Sequence, residues 1–327
     1  MGEHVQKIVE MHGSNKRLDV FLTEVLENGG VEGYSRTSIR RSIEQGLVAV
    51  NAVPELDPSR RLRYGDRVDA SLALKEASIA PNSQMDIPVL FENEHIIVID
   101  KPAGIQMHPS STERLSTVVN WALAHFPPIA LVGEDALRAG VVHRLDRNTS
   151  GVLVLAKTAL AFSELKSLFQ NRQVQKVYHA LVFGHVPSAE GEITFPLTQR
   201  VGTLKRMAVR NPGAFHGTMR EAFTAYELRE RFQDFDLLAL FPRTGRTHQI
   251  RVHLAALGHP VVGDHLYGGR KAKGSTLASR QLLHASQLSF ELFGEQHAYR
   301  TQLPADFQNA IASLPPYEAV DAETEDS

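Results

Sequence analysis

His143-Arg144-Leu145-Asp146-Arg147-Asn148-Thr149-Ser150-Gly151 is a dense polar stretch that runs straight into the apolar segment Val152-Leu153-Val154-Leu155-Ala156. A short apolar run bounded by a turn-rich segment reads as a buried strand. The turn therefore delivers one carboxylate, Asp146, with His143, Arg144 and Arg147 around it, to the mouth of that strand. Nearby cations favour the ionised form of an acid, which suits Asp146 to act as a nucleophile or base and not as a proton donor. A structural turn accounts for the same residues, because Asp and Thr-Ser-Gly cap their own backbone and Arg–Asp pairs are common on surfaces.

Outward from this point, strand patterns are expected at 95–99, 177–183 and 236–241, and helices at 116–126, 159–169 and 248–257. Pro127-Pro128 closes the first helix, and Lys101-Pro102-Ala103-Gly104 breaks the chain after the first strand. Strands outnumber long helices and do not alternate regularly with them. The expected fold class is α+β, a mixed sheet with flanking helices, and not a doubly wound parallel sheet.

The N-terminal part reads as a separate small module. Leu18, Phe21, Leu22, Val25 and Leu26 repeat at helical spacing up to Gly29-Gly30, and Ser35 can cap a second helix carrying Ile39, Ile43 and Leu47. Strands are expected at 48–50, turning at Asn51, and at 67–72 after Gly65-Asp66. The organisation is then a module over 1–75, a polar linker over 76–86 with Pro81, Asn82 and Ser83, a larger domain over 87–315, and an acidic tail over 316–327.

Composition narrows the classes. Of 327 residues 43% are hydrophobic and 22% charged, the balance of a soluble globular protein. No apolar run is long enough for a membrane helix, and no secretory leader is expected. Cysteine is absent, so disulfides and thiolate metal sites are excluded, and a cytoplasmic location is expected. The net charge of −2 is silent about nucleic acid, which responds to local patches. Such a patch exists: seven arginines between Arg36 and Arg67, among them Arg40 and Arg41, face four acids.

A second cationic cluster, Arg243-Thr244-Gly245-Arg246-Thr247-His248-Gln249-Ile250-Arg251-Val252-His253, sits at a strand-to-helix junction. Basic residues at a helix start oppose the macrodipole, so the cluster is expected to hold a phosphate or a carboxylate. His248 and His253 are spaced wrongly for one helical face and no HExxH pattern exists, which disfavours a metal site. Alternation places Tyr178, Ala180 and Val182 of 177–183 on one face. Tyr178 is either a core tyrosine or a group that stacks on a base or handles a proton.

The His143-Arg144-Leu145-Asp146…Thr149-Ser150-Gly151 run resembles the signature of the ribosomal large-subunit pseudouridine synthases of the RluA type. The similarity continues in order through Lys157, Lys176-Val177-Tyr178, Thr244 to Arg251, Gly263-Asp264…Tyr267-Gly268 and Leu283-His284-Ala285, over roughly residues 91–303. The N-terminal module resembles an S4 RNA-binding domain through Arg17-Leu18-Asp19, Ser35-Arg36 and Ile43 to Val48. With that module and Pro127-Pro128-Ile129, the chain resembles most the synthase D group of the family. Arg243 departs from the Glu or Lys frequent there.

The resemblance implies an enzyme that isomerises uridine to pseudouridine in RNA, with large-subunit ribosomal RNA as the expected partner, as a monomer and without external cofactor, dinucleotide or metal. It implies that Asp146 is the essential carboxylate, that Arg246 pairs with it, and that Tyr178 lies against the uracil and assists proton removal. It further implies that Arg144 sits near the displaced nucleotide, and that His143, Lys176, His248, Arg251, Arg36, Arg40 and Arg41 bind substrate. Two other classes compete: a non-catalytic RNA-binding assembly factor, which has no use for a carboxylate facing phosphates, and a metal-dependent hydrolase, which the histidine spacing opposes.

Overall fold

The computed structural model describes residues 3–29, 34, 36–72, 79–110, 112–199, 207–209 and 219–318. The chain divides into two compact units, one of residues 1–79 with 133–139, the other of 80–132 with 140–327. The short excursion 133–139, expected in the larger domain, thus belongs with the first unit.

In the first unit β1 (Glu3–Ile8), α1 (Leu18–Asn28), α2 (Arg36–Glu44), β2 (Val48–Val50), β3 (Val53–Pro54) and β4 (Arg67–Leu72) follow one another. The strands form an antiparallel sheet in the order β1-β4-β2-β3. Leu18, Leu22 and Leu26 of α1 and Ile39 and Ile43 of α2 meet Val48, Val50, Val68, Ala70 and Leu72 in one core. The first stripe and the two strands are those the periodicity predicts, and the second holds for Ile39 and Ile43 but not for Leu47, which lies beyond the end of α2 at Glu44 and is exposed. Asn51 takes a positive φ of 55°, which Asn tolerates well, and so turns the chain between β2 and β3. The Ser35 cap lies outside the described residues.

The second unit carries β5 (Val89–Glu92), β6 (Ile96–Lys101), α3 (Val118–His125), β7 (Ser150–Ala156), α4 (Ala159–Gln170), β8 (Gln175–Phe183) and β9 (Glu190–Ile193). After β10 (Leu197–Gln199) and β11 (Met207–Val209) come β12 (Thr224–Arg231), β13 (Phe235–Pro242), α5 (Gln249–Ala256), α6 (Gly269–Gly274), β14 (Leu283–Leu292), β15 (Glu295–Arg300) and α7 (Ala305–Ala312). Eight strands run in the order β5-β6-β7-β14-β8-β13-β12-β9, with β15 added to β14. Every pairing is antiparallel except β7 with β14. The fold is the expected mixed, mainly antiparallel sheet with helices against it. Alternation along β8 sorts its two faces: Ala180 and Val182 join Ile250 and Leu254 of α5, and Leu181 and Phe183 join Phe307 and Ala310 of α7. Tyr178 packs on the α5 side.

Local chemistry fixes the ends. Thr117 and Asn120 form a reciprocal capping box at the start of α3. Asn120 also donates to the Ala80 carbonyl at 2.8 Å, and Asn82 to that of Leu115 at 2.8 Å. From Ala80 onward the expected linker is therefore part of the second unit; residues 76–78 lie outside the described ones. Within the segment expected as the tail, Pro316 bridges Phe232, and the Tyr317 ring lies 5.7 Å from the Arg231 guanidinium. Residues 319–327 lie outside the described ones.

Candidate active site

Asp146 sits on the loop that enters β7, and buried cations tie down the backbone of that loop. Lys101, at the end of β6 and fully buried, spends its three donors on the carbonyls of Pro102, Ile105 and Arg147 at 2.8, 3.0 and 3.1 Å. Burial pushes its ammonium down to about 7, while the charge of Asp146 acts in the opposite sense. Arg280 donates to the Asn148 carbonyl at 3.1 Å and is itself locked to Asp306 by two bonds of 2.6 and 2.8 Å. Arg147 and Gly104 exchange two more bonds of 2.9 Å. Gly151, with φ at 119°, lets β7 approach β14 closely: a Cβ there would overlap the Ala285 carbonyl.

The cation on Asp146 is Arg251 and not Arg246. Arg251 Nη1 donates to Asp146 Oδ2 at 2.9 Å. Its Nε and Nη2 grip Asp264 at 2.7 and 2.9 Å, and its guanidinium lies 5.1 Å from the centre of the Tyr267 ring. Asp264 accepts in addition the amides of Leu266 and Tyr267. Desolvation opposes its charge, but the bonds and charge of Arg251 together with the two amides outweigh it and hold the carboxyl below the usual carboxylate range. Arg246 lies before the first turn of α5, where its Nε donates to the Glu221 carbonyl at 3.2 Å. The physical reason is the phase of the helix. Starting at Gln249, α5 turns Arg251 inward, and Gln249 closes the turn by accepting from the Thr244 hydroxyl and the Arg246 amide.

His248 caps α5 in the left-handed conformation, φ 56°. Its Nδ1 is 2.8 Å from the Tyr267 hydroxyl and its Nε2 is 3.8 Å from Asp146 Oδ1. Tyr178, on β8 between β13 and β14, has its phenol pushed up by burial and by the charge of Asp146. A phenol so raised stays protonated at neutral pH. Lys176, one pleat away on the same face, is lowered by burial to about 8 and forms no ion pair among the described residues. Arg144 is exposed beside the site.

One further expectation changes. His143 serves the fold: its Nε2 accepts the Val154 amide at 3.1 Å, its ring stacks on Phe169 at 4.4 Å, and burial pushes it down to about 3. It fixes the loop against β7 through Nε2. In the first unit, Arg36 is committed to the buried Asp19 through Nε and Nη2 at 3.2 and 3.1 Å, next to Arg17 at 2.9 Å and Arg40 at 3.9 Å. Arg41 is exposed. Lys101, Asp264, Tyr267 and Arg280 were not singled out for roles from sequence. Among the described residues, no three His, Asp or Glu side chains gather as metal ligands would.

The family described as RNA pseudouridylate synthase matches residues 95–256, which span Asp146, Tyr178 and Arg251. The ribosomal large subunit pseudouridine synthase D of Xanthomonas campestris is 36% identical over 94% of this chain and 92% of its own length. That of Escherichia coli is 34% identical over 90% of both chains. An RNA pseudouridine synthase of Aquifex aeolicus is 34% identical over 93% of this chain and 96% of its own length. Among solved structures, human RNA pseudouridylate synthase domain containing 1 superposes with a TM-score of 0.58 at 27% identity, over 74% of this chain and 94% of that one. The chain belongs to the RNA pseudouridine synthase family, enzymes that isomerise uridine in RNA. No helix among the described residues is long and apolar enough to cross a membrane.

Proposed function

We propose that this enzyme converts uridines of large-subunit ribosomal RNA to pseudouridine, as a cytoplasmic monomer without external cofactor, using Asp146 as its essential carboxylate. The observation that carries the reading is a carboxylate at the mouth of a buried strand, bonded through one oxygen to an arginine that a second, buried carboxylate holds in place. The isomerisation breaks the N-glycosidic bond, reattaches the uracil through C5 to the sugar, and releases the C5 proton to water. Asp146 drives the cleavage, Arg251 orients it, and Tyr178 lies against the uracil. Burial, and to a lesser degree the charge of Asp146, keep the Tyr178 phenol protonated, and it assists proton removal from C5. Arg144 and Lys176 face the displaced nucleotide, and Arg246 its backbone.

Extruding a uridine from folded RNA costs a few kcal/mol, and stacking on an aromatic returns about 1–3 kcal/mol per base. Phosphate contacts then supply the remainder. The first unit serves as the S4-like RNA-binding module, with Arg40, Arg41 and the outward side of Arg36 on phosphates. The relatives named as large-subunit synthases support the choice of RNA. A pure assembly factor would gain nothing from a carboxylate that repels phosphate.

The test uses transcripts carrying tritium at C5 of uridine, prepared from large-subunit, small-subunit and transfer RNA. Release of tritium from the large-subunit transcript in EDTA, with none from the others, is expected. Release from transfer RNA alone would overturn the substrate, and tight RNA binding without release from any transcript would favour the assembly factor.

A further inference from the structure

The two oxygens of Asp146 keep unequal company. Oδ2 accepts Arg251 Nη1 at 2.9 Å, whereas Oδ1 makes no hydrogen bond among the described residues. Facing Oδ1 at 3.8 Å is His248 Nε2, beyond hydrogen-bond length but well within electrostatic reach. We propose that His248 is a positioning residue: set by Tyr267 in its Nε2–H form, it holds Asp146 so that Oδ1 is the oxygen that reacts. The inference rests on Asp146 being the reacting carboxylate.

A carboxylate facing Nε2 favours the tautomer that presents N–H there, since which ring nitrogen carries the proton follows from the partner of the other. Nδ1 is then the acceptor, and the Tyr267 hydroxyl donates to it at 2.8 Å. The two rings meet edge to face, 5.6 Å apart at 72°, which fixes the plane of the imidazole. The same Tyr267 ring lies against Arg251, so one aromatic orients both groups that meet Asp146. Asp146 and Asp264 favour the charged imidazole, Arg251 and Arg144 oppose it, and burial is the largest influence, so the ring is held below its ordinary range and stays neutral near pH 7.

The backbone adds an independent observation. His248 occupies a left-handed conformation, φ 56°, that Gly or Asn would adopt at lower cost. Strain of this kind persists where the side chain is needed. A carboxylate pinned by one oxygen can pivot about that contact. An N–H aimed at the other oxygen limits the pivot, and at 3.8 Å it leaves the lone pairs of Oδ1 unspent. Hydrogen bonds of this kind in a free enzyme often tighten only once substrate is bound.

Backbone relief and side-chain reach predict opposite rankings, which makes the proposal testable. Gln retains an amide N–H near the reach of Nε2 but keeps the strain, whereas Asn and Gly relieve the strain and fall short. Single-turnover tritium release, RNA affinity and melting temperature would be measured for His248→Gln, His248→Asn and His248→Gly, with Asp146→Asn in parallel. The Asn and Gly variants should lose roughly 10- to 100-fold in rate, the scale of a small misplacement, with RNA affinity within about threefold of wild type. They should melt no lower than the Gln variant, and the Gln variant should recover most of the rate. The wild-type rate should fall in acid as the ring, held below its ordinary range, gains its second proton and Nδ1 can no longer accept from Tyr267, and His248→Gln should lack that limb. Asn or Gly outperforming Gln in rate would overturn the proposal, as would undiminished rates in all three or a loss confined to RNA affinity. Release by Asp146→Asn would instead overturn the reading of Asp146, whatever the ranking at His248.

Discussion

Each unit is organised around a buried ion cluster, and the two clusters have opposite polarity. In the first, one fully buried carboxylate, Asp19, anchors Arg17, Arg36 and Arg40, whose side chains remain 37, 52 and 50% exposed. In the second, one buried guanidinium, Arg251 at 8% exposure, anchors Asp264 at 0% and Asp146 at 17%. The interior charge is the scaffold in both; the outer charge is what a partner meets. Cations lie on the outer side of the first cluster, the sign that the proposed phosphate contact calls for, and a carboxylate lies on the outer side of the second, the group that the proposed chemistry calls for. A buried ion pair is weak support for stability in itself, so the arrangement makes most sense as a device that aims the outer charge.

The comparison breaks hardest at Arg251. Arg251→Gln leaves Asp264 buried without its cation, and losing one partner of a buried pair costs about 3–5 kcal/mol. A fall of that size in the unfolding free energy from urea titration is expected, together with loss of tritium release; an unchanged unfolding curve would mean that Arg251 is no scaffold. Arg251→Lys should restore little, since one ammonium cannot reproduce the forked grip on two carboxylates.

Acid should separate the two units next. Burial pushes His143 down to about 3 and His284 to about 4, both in the second unit. A histidine with a lowered folded pKa contributes stability that is present above its unfolded pKa, near 6.5, and is lost as the pH falls toward the folded one. Each such imidazole is expected to cost about 1.4 kcal/mol per pH unit below 6.5. The carboxylates around the first cluster, Asp19 and Asp66, are lowered instead, and their contribution fades only below their ordinary range near 3.8. Trp121, the only tryptophan, reports on the second unit. Its fluorescence midpoint in urea should drop steadily between pH 6.5 and 5; a flat profile would contradict the buried, neutral imidazoles.

The smallest effect tests the outward cations. Arg40→Gln with Arg41→Gln should lower the slope of log affinity against log salt by about one to two, and leave the rate on saturating RNA intact. An unchanged slope would remove the first unit from the RNA contact.

Much of this was legible in the sequence because the signals were local. The stripes of α1 and α2 and the apolar runs of β6, β7, β8 and β13 each lie in one continuous segment, and the polar turn before β7 pointed to Asp146. Strand β14 was missed as a strand, although it lies at the centre of the sheet between β7 and β8. Its first four residues are buried one after another, but Gln287 to Leu292 alternate polar and apolar, a period-two signal that was there to be read. The error at Arg246 has a different cause. Gln249 through Leu254 of α5 are all buried, and a helix buried on every side has no amphipathic stripe to set its phase. Nothing local then says which arginine turns inward. The signal that could have decided it was remote: Asp264, an acid in a glycine-bounded turn, which needs a buried cation.

The most direct test of the account is tritium release from C5-labelled large-subunit RNA by Asp146→Asn, under single turnover with enzyme in excess. The substitution keeps the shape of the side chain and removes the charge that Arg251 and His248 orient. The account predicts no release above background, with melting temperature and RNA affinity near those of wild type. Release at the wild-type rate would contradict it, and would remove Asp146 from the centre of the chemistry.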